Sequence, residues 1–425
     1  MSEATTPAVP QSPPATSSKP EPKRSQLLDA ILYPILAVFT ALVIGAILIL
    51  VTDEAVVNAW LHFFDDPMGA IKITVQTVAT AYGAMLNGAL NIGGIIKGIG
   101  AMLSGEGTQQ LAVALIPLSE SLTQSVPYIF AGLAVAFAFQ GGLFNIGGEG
   151  QMLIGALCSV YVGFKFTGLP WIVHLPLAML AGIAGGAIWA GIVGVLKAYT
   201  GAHEVINTIM MNWIAISLSA WLLKVGGPMA RPDVPVTPPV LASAWIPRLS
   251  STPGNRFHAG FFLALFTVWL IWWILYRSTL GFQIRMVGAN AKAARYSGVN
   301  VKRLWIIIMA VSGALAGLAG TVQTLAVDRW VGVGFSAGLG FDAIALALLG
   351  KNHPFGVLLA ALLFGTLKNG ATRMQSVAQI PVDIVTIVIA LVIVFIAAPE
   401  IIRWLYRLRK PATQDGPVFT KGWGS

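Results

Sequence analysis

Ten predominantly apolar runs constrain this 425-residue chain more than any other feature: 27–51, 111–139, 146–165, 172–197, 205–224, 258–276, 304–326, 336–350, 355–372 and 381–399. About 20 apolar residues, rising about 1.5 Å each, cross the roughly 30 Å hydrocarbon core of a bilayer. Only helices and closed barrels satisfy their backbone groups there. With 56% hydrophobic and 10% charged residues, against roughly 25% charged in a soluble domain, the chain reads as an all-α integral membrane protein of about ten transmembrane helices. The runs 336–350 and 355–372 are short, as broken or tilted helices would be.

Charge orients the runs. The segment 277–303 carries Arg277, Arg285, Lys292, Arg295, Lys302 and Arg303 with no acid, and the end of the chain carries Arg403, Arg407, Arg409 and Lys410. Both are cytoplasmic by the positive-inside rule. Lys19, Lys23 and Arg24 precede the first run and Asp53, Glu54, Asp65 and Asp66 follow it, so both termini are expected in the cytoplasm. The net charge of +9 therefore reports orientation and gives no reason to expect a nucleic-acid partner. Residues 1–26, rich in Pro, Ser, Thr and Ala, read as a disordered cytoplasmic tail. They are followed by one membrane domain, 27–403, and a second cytoplasmic tail, 404–425. Within it, 52–110 and 225–257 are expected as outer loops. In the first, 67–108 is interrupted by Lys72, Lys97 and many glycines, which favours interfacial helices on the outer face over another span. In the second, seven prolines from Pro228 to Pro253 favour extended backbone; it is either a connector or a docking surface.

No GxxxxGK[ST] phosphate cradle occurs, nor any HExxH, CxxC or GxSxG, and the five histidines are scattered. The single cysteine, Cys158, allows no intrachain disulfide. What remains are acids within or beside the apolar runs: Glu149, Glu204, Asp342 and Asp383. A charge at the bilayer centre costs about 2.5–3.5 kcal/mol on insertion scales, so such groups face a partner or a cavity. Glu149 lies in FNIGGEGQMLIGA (144–156), where Gly147, Gly148 and Gly150 disfavour a continuous helix. Irregular backbone at membrane depth requires protein or a water-filled path around it. Asn145, Glu149 and Gln151 are therefore candidates to line a solute path, with simple capping of a helix N-terminus as the competing account. A related pattern, glycine and acid ahead of an apolar run, recurs in LGFDAIALALLG (339–350) and adds Phe341 and Asp342.

Within 277–303, Asn290 as N-cap, AKAARYS as helix formers and Gly298 after the last turn predict a short capped helix. The run SGALAGLAG (312–320) places Gly313, Gly317 and Gly320 where two helices can approach closely, so these are read as helix-packing residues.

GLFNIGGEGQMLIGAL, EVINTIMMNWIA, TLGFQIRMVGANAKAARYSGVNVKR, SGALAGLAG and GFDAIALALLGKNHPFGVLLAALLFG, in this order, resemble the permease subunits of ATP-binding-cassette (ABC) importers. Within these the match is to the nucleoside and simple-sugar branch of the family that also holds ribose and branched-chain amino acid permeases. The resemblance covers about 120–400. It implies a ten-helix fold like that of the cobalamin importer (type II) permeases, with Asn290, Ala293, Ala294, Arg295, Tyr296 and Gly298 in an ATPase-coupling helix. It implies an ATPase subunit that uses ATP and Mg, a second permease (a copy or a paralogue), an extracytoplasmic solute-binding protein and a small-molecule solute. The chain itself would bind no cofactor, and would reside with lipid around it in the cytoplasmic membrane of a prokaryote. Nucleoside is the first expectation for the solute and a simple sugar the second, moved by alternating access. The proline-rich tail and 67–108 exceed the family pattern. Two rivals remain: an ion-coupled secondary transporter working through Glu149 or Asp342, and a receptor-like, structural or enzymatic membrane protein.

Overall fold

The computed structural model describes residues 23–105 and 108–407; most of the two expected tails, 1–22 and 408–425, lies outside them. Among the described residues the structure is helical, without a sheet. Only two isolated antiparallel bridges occur, Val236 with Gly332 and Arg248 with His258. The first part holds α1 (Lys23–Thr52), α2 (Glu54–Leu61), α3 (Pro67–Ala89), α4 (Ile92–Leu103) and α5 (Gln109–Ala114). The centre holds α6 (Ile116–Gln140), α7 (Gly148–Lys165), α8 (Trp171–Thr200), α9 (Glu204–Leu223) and α10 (Gly260–Arg277). After α11 (Thr279–Ala289) and α12 (Ala291–Tyr296) come α13 (Val301–Val322), α14 (Leu339–Leu349), α15 (Pro354–Ala378), α16 (Val382–Ala397) and α17 (Pro399–Leu405).

Each of the ten expected runs falls on a helix, yet not every one is a span by length and composition. Seven helices are long and apolar enough to cross a membrane; these carry seven of the ten runs. The other three fall short for identifiable reasons. α14 and α16 are short, and α7 is diluted by Glu149, Gln151 and its glycines. α7 tolerates that dilution because its first ten residues are all buried inside protein. An eighth candidate arises where interfacial helices were expected: α3 and α4, bent by 53° at Leu90–Asn91, together carry enough apolar length for one broken span or a re-entrant loop. Lys72 and Lys97 obscure that length in the sequence. α3 is fastened to the bundle through α15, since Asn369 Nδ2 donates to Gly88 O and Pro117 O, both at 2.9 Å.

α13 is the hub. Its glycine face meets α8 and α7 at backbone contact: a Cβ on Gly317 would lie 2.5 Å from Gly182 O, and one on Gly320 would lie 2.2 Å from Met152 O. Gly313 sits against Gly186 O and the Ala190 methyl. In lipid, where tails are as apolar as leucine, such close approach supplies the dispersion contact that drives helix association. α6 lies against the same core with Ile129, Phe130, Leu133 and Phe137 wholly buried. α8, α9 and α10 show the opposite pattern, with Ile188, Trp213 and Phe266 among many exposed apolar side chains, the surface expected to face acyl chains.

The two ends differ. At one, Gln140 Nε2 donates to Asn352 O at 2.9 Å and Gly142 touches Gly288, beside the basic segment 277–303. At the other, the proline-rich segment 225–257 is packed onto the helix ends. Leu241 N–H donates to Gly163 O at 2.9 Å, Ile246 N–H to Leu325 O at 3.1 Å, and the Arg329 guanidinium lies 3.5 Å above the Trp245 ring. The Leu325 carbonyl belongs to a π-helical turn, Gln323–Asp328, that ends α13; such turns disturb the usual backbone pairing.

Two outcomes are expected. Gly317→Val, which forces a branched side chain onto the Gly182 carbonyl, lowers stability by about 1–3 kcal/mol, read as a lower melting temperature in detergent. With Cys158 replaced by alanine, a cysteine at exposed Val234 reacts with an impermeant maleimide on intact cells, while one at Tyr296 reacts only after permeabilisation; the reverse order would invert the orientation.

Candidate solute pathway

The chain leaves α6 at Gln140 and re-enters the bundle as non-helical backbone before α7 begins at Gly148. Low-dielectric surroundings make each unpaired peptide group there expensive. The side chains of the break meet this demand. Asn145 and Gln151 exchange two amide hydrogen bonds, Asn145 Nδ2 to Gln151 Oε1 at 3.0 Å and Gln151 Nε2 to Asn145 Oδ1 at 2.9 Å. Asn145 Oδ1 also accepts from Gly147 N–H at 2.9 Å, and its Nδ2 donates to Ser312 Oγ on α13 at 2.8 Å. From α9, Asn212 accepts from Gly150 N–H and donates to Ile146 O, both at 2.9 Å.

Glu149 serves a different helix from the one it begins. Its Oε2 accepts from Gly340 N–H at 2.7 Å and its Oε1 from Gly338 N–H at 3.1 Å, so the carboxylate closes the N-terminus of α14. Gly338 has φ +83°, a left-handed conformation that suits glycine, and it places both N–H groups on one side. The free N–H groups and the dipole of α14 stabilise the anion. Gly340 is needed for close approach, because a Cβ there would collide with the backbone of Glu149. The two segments that share a sequence pattern, 147–157 and 339–350, thus meet in space.

The geometry differs from the expectation that Asn145, Glu149 and Gln151 face a solute. They are 0%, 4% and 1% exposed, and their polar atoms are turned to one another and to α14. Phe341 and Asp342, in the first turn of α14, are placed otherwise: Phe341 is 47% exposed and Asp342 half-buried. Asp342 Oδ2 accepts from Tyr128 Oη at 3.4 Å and lies within electrostatic reach of exposed Lys368 on α15. Along α6 the same face continues through Gln124 and Glu120, successive turns of the helix. Gln124 Nε2 donates to Glu120 Oε1 at 3.2 Å, and Arg256 from the proline-rich segment pairs with the Glu120 carboxylate, its Nε at 3.1 Å from Oε2. This polar file of Glu120, Gln124, Tyr128, Asp342 and Lys368 was not foreseen, apart from Asp342. Glu120, Gln124 and Tyr128 recur every four residues within an apolar run, and that spacing was the available signal.

The remaining residues are distributed as follows. Asn290 Oδ1 accepts from Lys292 N–H and Ala293 N–H, both at 3.0 Å, capping α12. Ala294 is buried, Ala293 and Arg295 are exposed, Tyr296 is 94% exposed, and Gly298 takes φ +83° after the last turn. This unit stands at the basic end, away from the clasp. Glu204 pairs with Lys197, Nζ to Oε2 at 2.5 Å, and Asp383 opens α16. Among the described residues no cluster of three potential metal ligands occurs.

A helical bundle with seven or eight candidate spans, interrupted by two facing helix starts, is the architecture of a polytopic membrane protein. The family profile described as the permease component of branched-chain amino acid transport systems matches residues 118–397, and the chain belongs to that family. It is thus the permease component of an ABC transport system, a multi-pass protein of the prokaryotic cell membrane and not itself an ATPase. It is 38% identical over 382 residues to the guanosine ABC transporter permease NupP of Bacillus subtilis, covering 89% of this chain and 96% of the relative. To the nucleoside ABC transporter permease NupB of Lactococcus lactis it is 36% identical over 297 residues, covering 67% and 80%. To the glucose ABC transporter permease TsgB13 of Haloferax volcanii it is 34% identical over 354 residues, covering 81% and 89%. No solved structure matches the chain.

Glu149→Gln retains one oxygen for two N–H donors and turns an NH2 group toward the other. A lost hydrogen bond to a charged group is worth about 1.5–3 kcal/mol, so the variant is expected to melt at a lower temperature in detergent and to transport less. Unchanged melting would remove the clasp.

Proposed function

We propose that this chain is one of two permease subunits of an ATP-driven importer that carries nucleosides into the cell by alternating access. The observation that carries the reading is the polar file on α6, α14 and α15. Partly buried Glu120, Gln124 and Asp342, with exposed Lys368, need water or protein beside them at membrane depth, and a passage shared with a second permease, a copy or a paralogue, supplies both. Phe341 and Asp342 line that passage, the aromatic ring offering a stacking surface to a base and the polar groups hydrogen bonds to ribose hydroxyls. Asn145, Glu149 and Gln151 hold its wall by fixing where α7 and α14 begin.

The partner ATPase uses ATP and Mg, and α12 is the rigid element through which it acts. Its cap at Asn290 and left-handed Gly298 delimit one compact turn that presents Tyr296 and Arg295 outward. An extracytoplasmic solute-binding protein delivers the solute at the proline-rich end. Ten membrane-embedded helices in the manner of the cobalamin importers accommodate these roles, with α7, α14 and α16 the three that fall short of an independent span. The nucleoside assignment is supported by two relatives named for guanosine and nucleosides, at 38% and 36% identity. A simple sugar is the second reading, favoured by the glucose permease at 34% identity over 81% of the chain.

Uptake into proteoliposomes holding the assembled complex tests this. ATP-dependent accumulation of guanosine or uridine, insensitive to protonophore and exceeding that of glucose, is expected. Tyr296→Ala should cut uptake about tenfold or more while membrane insertion is unchanged, since an exposed ring contributes little to the fold. Accumulation driven by an ion gradient without ATP would support a secondary transporter instead.

A further inference from the structure

A groove runs between α8 and α13 on the side of the bundle away from the polar file. Its walls are Ile188, Ile192, Val195, Ile306 and Ala310, and its floor is Gly191, where a Cβ would meet nothing closer than the Ala310 methyl at 3.9 Å. On α13, Ala310 and Ile306 are one turn apart, and a further turn back lies Lys302. On α8, Ile188, Ile192 and Val195 lead on the same face to Tyr199. The groove therefore ends at a built foot: Lys302 Nζ stands 5.4 Å above the Tyr199 ring and Lys197 Nζ 5.1 Å above the Trp305 ring. Lys197 is also paired with Glu204, which leaves Lys302 and neighbouring Arg303 as the excess charge.

We propose that this groove is a binding site for one anionic phospholipid of the cytoplasmic leaflet, with an acyl chain between α8 and α13 and its phosphate at Lys302. Three observations support this occupant. The walls offer no polar group that a protein partner would need to satisfy, whereas the face with that need is formed by α6, α14 and α15. Two aromatic rings sit at the foot, the level where tyrosine and tryptophan favour the headgroup region. The foot carries three cations, Lys197, Lys302 and Arg303, against one acid, and a basic residue near an anionic membrane surface contributes about 1 kcal/mol. Lys302 held above Tyr199 is preorganised for a phosphate, because the ring restrains a side chain that would otherwise lose rotamer freedom on binding.

Native mass spectrometry of the purified permease, titrated with phosphatidylglycerol and phosphatidylcholine of the same chain length, reads the site. Wild type is expected to retain phosphatidylglycerol in preference to phosphatidylcholine. Lys302→Gln should reduce that preference about fivefold, the factor for one basic residue, and Gly191→Leu, whose side chain enters open space, should reduce retention of both lipids. No preference in wild type, or an unchanged ratio in Lys302→Gln, overturns the proposal. So does a Gly191→Leu variant that loses association between permease copies and keeps its lipid, which would make the groove a protein interface. Lys302 is exposed, so its variant decides the matter even where Gly191→Leu fails to fold.

Discussion

A polypeptide broken at membrane depth must find partners for its peptide groups within the protein, because the hydrocarbon offers none. In this permease the demand falls on one place, where α7 and α14 both begin. Glu149 meets it by accepting from two N–H groups of α14, and Asn145, Gln151 and Asn212 serve the backbone leading into α7. A buried carboxylate would be costly alone. Here two backbone donors and a helix dipole share its charge, which is why an acid can be kept where surrounding residues are apolar.

The clasp presupposes close helix packing. Asn145 reaches Ser312 only because α13 lies against α7 at glycine, with Gly155 facing Gly317. Small residues thus fix the distance at which the polar network closes, and the network fixes where the two short helices start. From that position α14 projects Phe341 and Asp342 toward the face that α6 and α15 complete. The pattern of glycine and acid ahead of an apolar run therefore closes the clasp at 147–157 and sets its counterpart at 339–350 beside Tyr128 of the polar file.

Much of this was legible in the sequence. The ten apolar runs all became helices, since length and hydropathy dictate that in lipid, and Asn290 and Gly298 delimited α12 because capping is local. The glycine cluster marked the break, and the small-residue spacing in 312–320 anticipated that α13 would approach its neighbours closely. The partner of Glu149 was not legible, because Gly338 and Gly340 lie about 190 residues away in the chain and only packing brings them near. The inward turn of Asn145 and Gln151 was hidden for the same reason: an amide's partner is set by the tertiary fold, and polar residues at a break suit a solute as well as each other. In 67–108, lysines and glycines lowered the hydropathy of helices whose glycines serve close contacts, as Gly88 does against Arg373. The proline-rich 225–257 folds through turns, bends and a short 3-10 helix at Ala242–Ala244, and its packing was not legible because it depends on carbonyls such as that of Leu325 in the π-helical turn.

The most direct measurement is an experimental density map of the permease in lipid nanodiscs, resolving side chains in 141–151 and 336–342. The account predicts non-helical backbone up to Gly147 and the Glu149 carboxylate within hydrogen-bonding distance of the N–H groups of Gly338 and Gly340. A helix running unbroken from α6 into α7, or a Glu149 side chain directed at acyl chains, would contradict it.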